Sequence, residues 1–322
     1  MADTSISSRP GPVAALTLLA RDIKLSHSVF ALPFALLGAC MATSPLRPLS
    51  PARAAAMLLL VVICMVLART WAMLINRLAD AALDAKNPRT SRRVLAAGRV
   101  SRPFALATTF LAAALFVASA GGFWLFAANP WPLALSLPVL AWIALYSFTK
   151  RFTWACHLFL GSALALSPLA AALAVDPSAI GLPALASFEG GWGAPNLALY
   201  ALALMVLLWV AGFDIIYALQ DVRIDRELGL YSIPSRLGIT FALNLSRLFH
   251  LLAFLLLIVV WLADPRLGRP FLVGVAAVGA LLVLEHLILA RRGEAGLHAA
   301  FFTCNGLVSL ALGTLGIVGI IF

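Results

Sequence analysis

Apolar residues run along this chain for roughly 20 positions at a time, with polar residues gathered in the short stretches between. Runs of that length with few charges mark helices that cross a bilayer. Nine are legible, at 28–44, 54–75, 104–127, 131–148, 154–175, 197–219, 241–262, 271–290 and 300–321, the first being short. The pattern predicts an all-α polytopic membrane protein of about nine transmembrane helices, in one domain covering 28–322. Residues 1–27 read as a cytoplasmic N-terminal segment, with 13–25 as an amphipathic helix lying on the membrane surface. That segment is polar, then weakly apolar, then polar again, without the lone apolar stretch and cleavage site of a signal peptide.

Composition agrees with the pattern. Of 322 residues 63% are hydrophobic and 11% charged, and the mean hydropathy is +1.01. A globular domain is about half apolar and a quarter charged. The net charge of +10 would suit nucleic acid, but its placement points elsewhere. With nine spans, the loops sharing a side with the N-terminus hold most basic residues, including Arg21, Lys24, Arg77, Lys86, Arg89, Arg92, Arg93, Lys150, Arg151, Arg223, Arg226 and Arg236. The opposite side has Arg47, Arg53, Arg266 and Arg269. This asymmetry places the N-terminus and the basic loops in the cytoplasm. No basic stripe interleaved with aromatics suggests a nucleic-acid partner. Cys40, Cys64, Cys156 and Cys304 form no CxxC pair and read as small buried hydrophobes.

Acidic residues are few, so their clustering is informative. In "WAMLINRLADAALDAKNPRT", Asn76, Asp80 and Asp84 are four apart and stack on one helix face, with Arg69 on that face two turns earlier. In "GFDIIYALQDVRIDRELGLYSIPSRLG", Asp214, Tyr217, Asp221 and Asp225 follow at spacings of three, four and four. Both ladders fall on the cytoplasmic side. Neighbouring carboxylates repel unless a cation compensates, and hard oxygen ligands suit Mg²⁺, whose shell a substrate phosphate completes. Mn²⁺ suits the same donors. Arg and Lys beside each ladder complete a clamp for diphosphate, and no Gly-rich phosphate loop is present. A site built into the membrane fits a lipid diphosphate. The rival reading is a transporter using intramembrane carboxylates, but transporters place their charges near the midplane, whereas these crowd one face. Asp22, Asp176, Glu189 and Asp264 read as ordinary interfacial or loop residues. His157, His250, His286 and Glu285 show no partner pattern.

These motifs resemble those of the UbiA-type intramembrane prenyltransferases. "NRLADAALD" is similar to their NxxxDxxxD first motif, and "DIIYALQDVRIDRELGLYSIPSRLG" to their second. "DAKNPRTSRRVLAAGRVS", "YSFTKRFTWACHLFLG" and "IKLSHSVFALPFALLGA" extend the similarity over most of the chain. It is strongest to the bacterial 4-hydroxybenzoate polyprenyltransferase-like branch of quinone biosynthesis. One departure stands out: Arg77 follows Asn76 where the ubiquinone branch often has Asp.

The resemblance implies a nine-helix bundle around a central cavity, capped by cytoplasmic loops. It implies transfer of a prenyl chain from polyprenyl diphosphate to a small aromatic acceptor, 4-hydroxybenzoate or a relative such as 1,4-dihydroxy-6-naphthoate. Asp80 and Asp84 would hold one Mg²⁺ and Asp221 and Asp225 another, with Asn76 on metal or phosphate. Lys150, Arg89 and Arg69 are candidates for diphosphate, and Arg151 for an acceptor carboxylate. Asp214 would orient the phenol or take the ring proton, and Tyr146 would face the allylic cation. Tyr217, Lys24 and His27 are the remaining acceptor candidates.

Overall fold

The computed structural model describes residues 10–23, 30–43, 50–181 and 194–322, and these are helical apart from short turns and connections. The α-helices are α1 (Pro12–Asp22), α2 (Leu32–Met41), α3 (Pro51–Asp84), α4 (Arg102–Ala127), α5 (Trp131–Thr149) and α6 (Cys156–Val175). They continue with α7 (Ala194–Tyr217), α8 (Val222–Glu227), α9 (Ile233–Leu237), α10 (Ile239–Ala263), α11 (Gly268–Arg292) and α12 (Asn305–Ile321). Eight of the described helices are long and apolar enough to cross a membrane, and α2 is a shorter apolar helix. Each of the nine apolar runs therefore becomes one helix, and the chain is an integral membrane protein.

Helix starts follow local chemistry. Ser50 and Ser101 accept from the backbone N–H of Arg53 and Phe104, and Pro51 and Pro103 occupy first-turn positions where no N–H is needed. The main boundary difference is α3, which runs through Asp84 for 34 residues. At 1.5 Å per residue that is about 51 Å, well beyond the roughly 30 Å hydrocarbon core. The first ladder thus rides on continuous helix.

The long helices and α2 close into a ring of neighbours in chain order, from α2 through α7 to α10, α11 and α12, with α12 packed back on α2. Helix α7 is the most enclosed, with 72% of its most apolar window buried against at most 44% elsewhere. Gly161 of α6 lies against the Leu207 carbonyl of α7, and Gly38 of α2 against the backbone of Pro168 in α6; a Cβ at either would overlap backbone. Small residues permit such approach where lipid supplies no hydrophobic drive for association.

The second motif departs from the expected α-helical ladder. Ala218–Asp221 form a 3₁₀ turn between α7 and α8, and the Gln220 side chain donates to the Tyr217 carbonyl. At 120° per residue instead of 100°, four residues turn Asp221 and Asp225 by about 80° relative to Asp214. Another local irregularity is a π-helical turn, Ala299–Cys304, ahead of α12.

Candidate active site

At one end of the ring, the end of α3, the α5–α6 turn and the α7–α9 segment meet around two adjoining cavities. The larger, about 810 Å³, runs between apolar walls that include Val61, Met65, Phe116, Leu164 and Phe213. The smaller, about 190 Å³, is lined by Asp80, Asp84, Lys150, Asp221 and Asp225. Asn76, Arg89, Tyr146, Asp214 and Tyr217 line both. An oily chamber thus opens onto a charged one.

The carboxylates of both ladders are held. Asp80, 1% exposed, accepts from Lys150 Nζ at 2.5 Å, Arg151 at 2.8 Å and Asn76 at 3.2 Å. Asp84 accepts from Arg93 at 2.8 and 3.0 Å. Asp221 accepts two bonds from Arg89, at 3.1 and 2.5 Å, and one from Asn87 at 3.1 Å. Asp225 accepts from Ser232 at 2.9 Å. The Arg89 fork also donates to the Tyr217 hydroxyl at 3.2 Å. Burial opposes the Arg89 charge, but the hydrogen bonds and negative charge of Asp221, helped by Tyr217, outweigh it, and its pKa is raised.

Among the described residues, no three acidic, His or Cys side chains converge into a metal cage. The donor set facing the small cavity is nonetheless oxygen-rich and split between two helices. Mg²⁺ takes one or two carboxylates and fills its shell with water and phosphate. These residues therefore fit a metal completed by a phosphate ligand, and Lys150 and Arg89 line the same small cavity.

Other expected residues are placed differently. Arg69 lines the large cavity, seven residues and so about 10 Å deeper than Asn76, and its Nε is buried without a hydrogen-bond partner. Arg151 lines neither of these cavities; its guanidinium is engaged by Asp80 and the carbonyls of Ala79 and Ser147. Lys24 and His27 lie outside the described residues.

Three arrangements escaped the sequence reading. Asp22, taken as an ordinary interfacial residue, accepts from Arg77 Nε at 2.8 Å and the Val94 N–H at 3.2 Å, tying α1 to α3 and its following loop. This gives Arg77 a structural task. His157 contacts Asp214 at 2.7 Å. Among residues that line neither cavity, Trp209 donates to Asn305 Oδ1 at 2.7 Å and Asn305 donates to Glu285 at 3.0 Å, while His250 and His286 contact each other at 3.0 Å. Each contact joins separate helices, so no spacing within one segment signals it.

Comparison with known proteins bears on the whole arrangement. Residues 31–307 match the UbiA prenyltransferase family. The 4-hydroxybenzoate octaprenyltransferase of Vibrio vulnificus is 30% identical over 259 residues, covering 79% of this chain and 81% of that one. The apo structure of a UbiA homolog from Aeropyrum pernix K1 superposes with a TM-score of 0.77 at 30% identity, over 93% of this chain and 99% of that chain. A UbiA homolog from Archaeoglobus fulgidus, solved bound to GPP and Mg²⁺, shares the fold with a TM-score of 0.63 at 19% identity, over 95% of this chain and 100% of that one. The family match takes in every helix from α2 to α11 together with both acidic ladders, and the chain accordingly belongs to the UbiA prenyltransferase family and is a prenyltransferase.

Proposed function

We propose that the protein transfers a polyprenyl chain from polyprenyl diphosphate to a hydroxy-aromatic acid of quinone biosynthesis, in a Mg²⁺-dependent reaction. The acceptor is 4-hydroxybenzoate, as the name of the Vibrio vulnificus relative suggests, or a relative such as 1,4-dihydroxy-6-naphthoate. The observation that carries this reading is the junction of the two cavities. A charged chamber fit for diphosphate opens directly onto an apolar one fit for its lipid tail.

Asp80 and Asp84 hold one metal ion and Asp221 and Asp225 a second, with Asn76 on metal or phosphate. Bound there, Mg²⁺ neutralises charge building on the leaving diphosphate. Lys150 and Arg89 release their carboxylates in part and bind phosphate oxygens, as fixed positive charge at the point where negative charge develops. Departure of diphosphate leaves an allylic cation, which the electron-rich ring attacks at carbon. Tyr146 lines both chambers and presents its ring to that cation. Asp214 and Tyr217, on the same wall, orient the acceptor hydroxyl and receive the ring proton. Arg69, deeper in the apolar chamber with an unsatisfied guanidinium nitrogen, lies about two turns below Asn76. That depth favours the carboxylate of the acceptor over diphosphate. Arg151 holds Asp80 in place and does not bind the acceptor directly. The positive-inside pattern supports an orientation with this end of the bundle at the cytoplasmic face, and the bacterial relatives support a bacterial inner membrane.

The test is product formation by the purified protein in nanodiscs with geranyl diphosphate, Mg²⁺ and each acceptor separately, against an EDTA control. A prenylated aromatic product that disappears with EDTA and returns with Mg²⁺ is expected. A folded protein that prenylates neither acceptor overturns the reading.

A further inference from the structure

His157 is a buried polar side chain beside the reacting space to which the reaction as derived gives no task. It sits in the first turn of α6, 2% exposed, with Nδ1 2.7 Å from Asp214 Oδ2 and Nε2 3.3 Å from the backbone nitrogen of Ile233. A backbone N–H can only donate, so Nε2 accepts and carries no hydrogen. The ring hydrogen is therefore on Nδ1, pointing at Asp214. Two partners from two other elements, α7 and α9, select one tautomer of a third.

Consider what this leaves of Asp214. Its Oδ2 is taken by His157, no described residue hydrogen-bonds Oδ1, and the side chain lines both chambers. A carboxylate tethered by one oxygen has a defined direction for the other. The neighbours of Ile233 extend the tie: Ser232 donates to Asp225 at 2.9 Å, and the Tyr231 N–H donates to the Lys150 carbonyl at 2.7 Å. One imidazole thus fixes Asp214 relative to the segment that also supports the second ladder.

We infer that His157 is a positioning residue, whose Nδ1–H holds Asp214 by Oδ2 so that Oδ1 faces the acceptor ring and takes its proton. This rests on the prenyl-transfer reading and deepens it. In the step, the C1–O bond breaks first with its electron pair leaving on diphosphate, and a ring π pair then forms the carbon–carbon bond to the allylic C1. The ring C–H bond then breaks, its pair restores aromaticity, and the proton passes to Asp214 Oδ1. His157 keeps its own hydrogen throughout.

The experiment compares wild type, His157→Leu, His157→Gln and His157→Asn in nanodiscs. Each is assayed with Mg²⁺, geranyl diphosphate and ring-protiated or ring-deuterated acceptor, with thermal unfolding followed alongside. Misplacing a reacting group by about 1 Å lowers rates on the order of 10²-fold. His157→Leu is expected to lose kcat on that scale, with little change in KM for the diphosphate. Its ring-deuterium isotope effect should rise above the wild-type value, because proton removal has become slow. Glutamine offers an amide N–H to Asp214 and a carbonyl to Ile233, and should restore most of kcat and the wild-type isotope effect. Asparagine keeps the donor but is too short for Ile233, so it should lower stability while leaving the isotope effect near wild type.

Equal isotope effects in wild type and His157→Leu, or a loss that glutamine does not repair, overturn the inference. Should the leucine variant fail to fold, a raised isotope effect in His157→Asn overturns it. A wild-type protein that prenylates neither acceptor fails the parent reading itself, and this inference with it.

Discussion

The Asp22–Arg77 pair yields a prediction that owes nothing to catalysis. Both side chains are largely buried, at 11% and 7% exposure, and Arg77 Nε stands 2.8 Å from Asp22 Oδ2. Arg77 has one further side-chain partner, the Asn76 oxygen at 3.0 Å, while Asp22 also accepts from the Val94 N–H. Arg77→Met leaves a buried carboxylate with one backbone donor; Asp22→Leu leaves a buried guanidinium with the Asn76 oxygen and the residue-22 carbonyl at 3.5 Å, and strips Val94 as well. Breaking a buried pair from one side typically destabilises by 3–5 kcal/mol. Residual exposure and surviving partners bring the expected losses to about 2–3 kcal/mol for Arg77→Met and about 3–4 kcal/mol for Asp22→Leu. The double variant loses both charges together and should be destabilised by only about 1–2 kcal/mol, mostly from the bare Val94 N–H. The coupling energy is then at least about 3 kcal/mol. The assay is denaturant unfolding in detergent of all four proteins, with tryptic cleavage after Arg21 reporting release of α1. Single variants within about 1 kcal/mol of wild type, or a double variant matching the sum of the singles, would refute the reasoning.

Asp80→Ala and Asp221→Ala should each lower prenyl transfer by about 10²–10³-fold through loss of charge stabilisation at the leaving group, while the protein still purifies as a folded monodisperse species; near-normal turnover in either sinks the clamp assignment. Arg151→Lys cannot reproduce the fork that reaches Asp80, Ala79 and Ser147 together. It should be destabilised by about 1–3 kcal/mol and turn over more slowly, and an unfolding midpoint unchanged from wild type would contradict that. Asn305→Leu strips partners from Trp209 Nε1 and Glu285 Oε1 in the bundle interior. A loss of about 2–4 kcal/mol in unfolding free energy is expected, and a variant as stable as wild type would show the network contributes nothing.

What the chain's own order reveals depends on where a relationship lives. Asn76, Asp80 and Asp84 were legible because four-residue spacing in one helix fixes their common face before any packing occurs. The spans were legible for the same reason, since the bilayer imposes a length on each segment independently. The ligand ladder of the second motif was only half legible. Its residues were identified, but the 3₁₀ turn at Ala218–Asp221 re-aims them, and a change in helical pitch leaves the residue spacing untouched. Asp22 was misread and His157 left without a role because their partners belong to other segments. Arg151 shows the converse: its type suggested a ligand for an acceptor, whereas packing spends its donors on Asp80 and two carbonyls.

The bonds that cap the bundle also have a timetable. Asp80 meets Lys150, made 70 residues after it, and Asp221 meets Arg89, made 132 residues before it. At roughly 5–20 residues per second of synthesis, the first acid waits about 4–14 s for its partner, and Arg89 waits about 7–26 s for its own. Helices α3 and α4 are therefore threaded before Asp80 has its lysine, and α3 to α6 before Arg89 has its carboxylate. The two acidic ladders face each other only once residues 214–225 have been made, and a nascent chain halted before α7 carries a membrane anchor with one ladder and not the other.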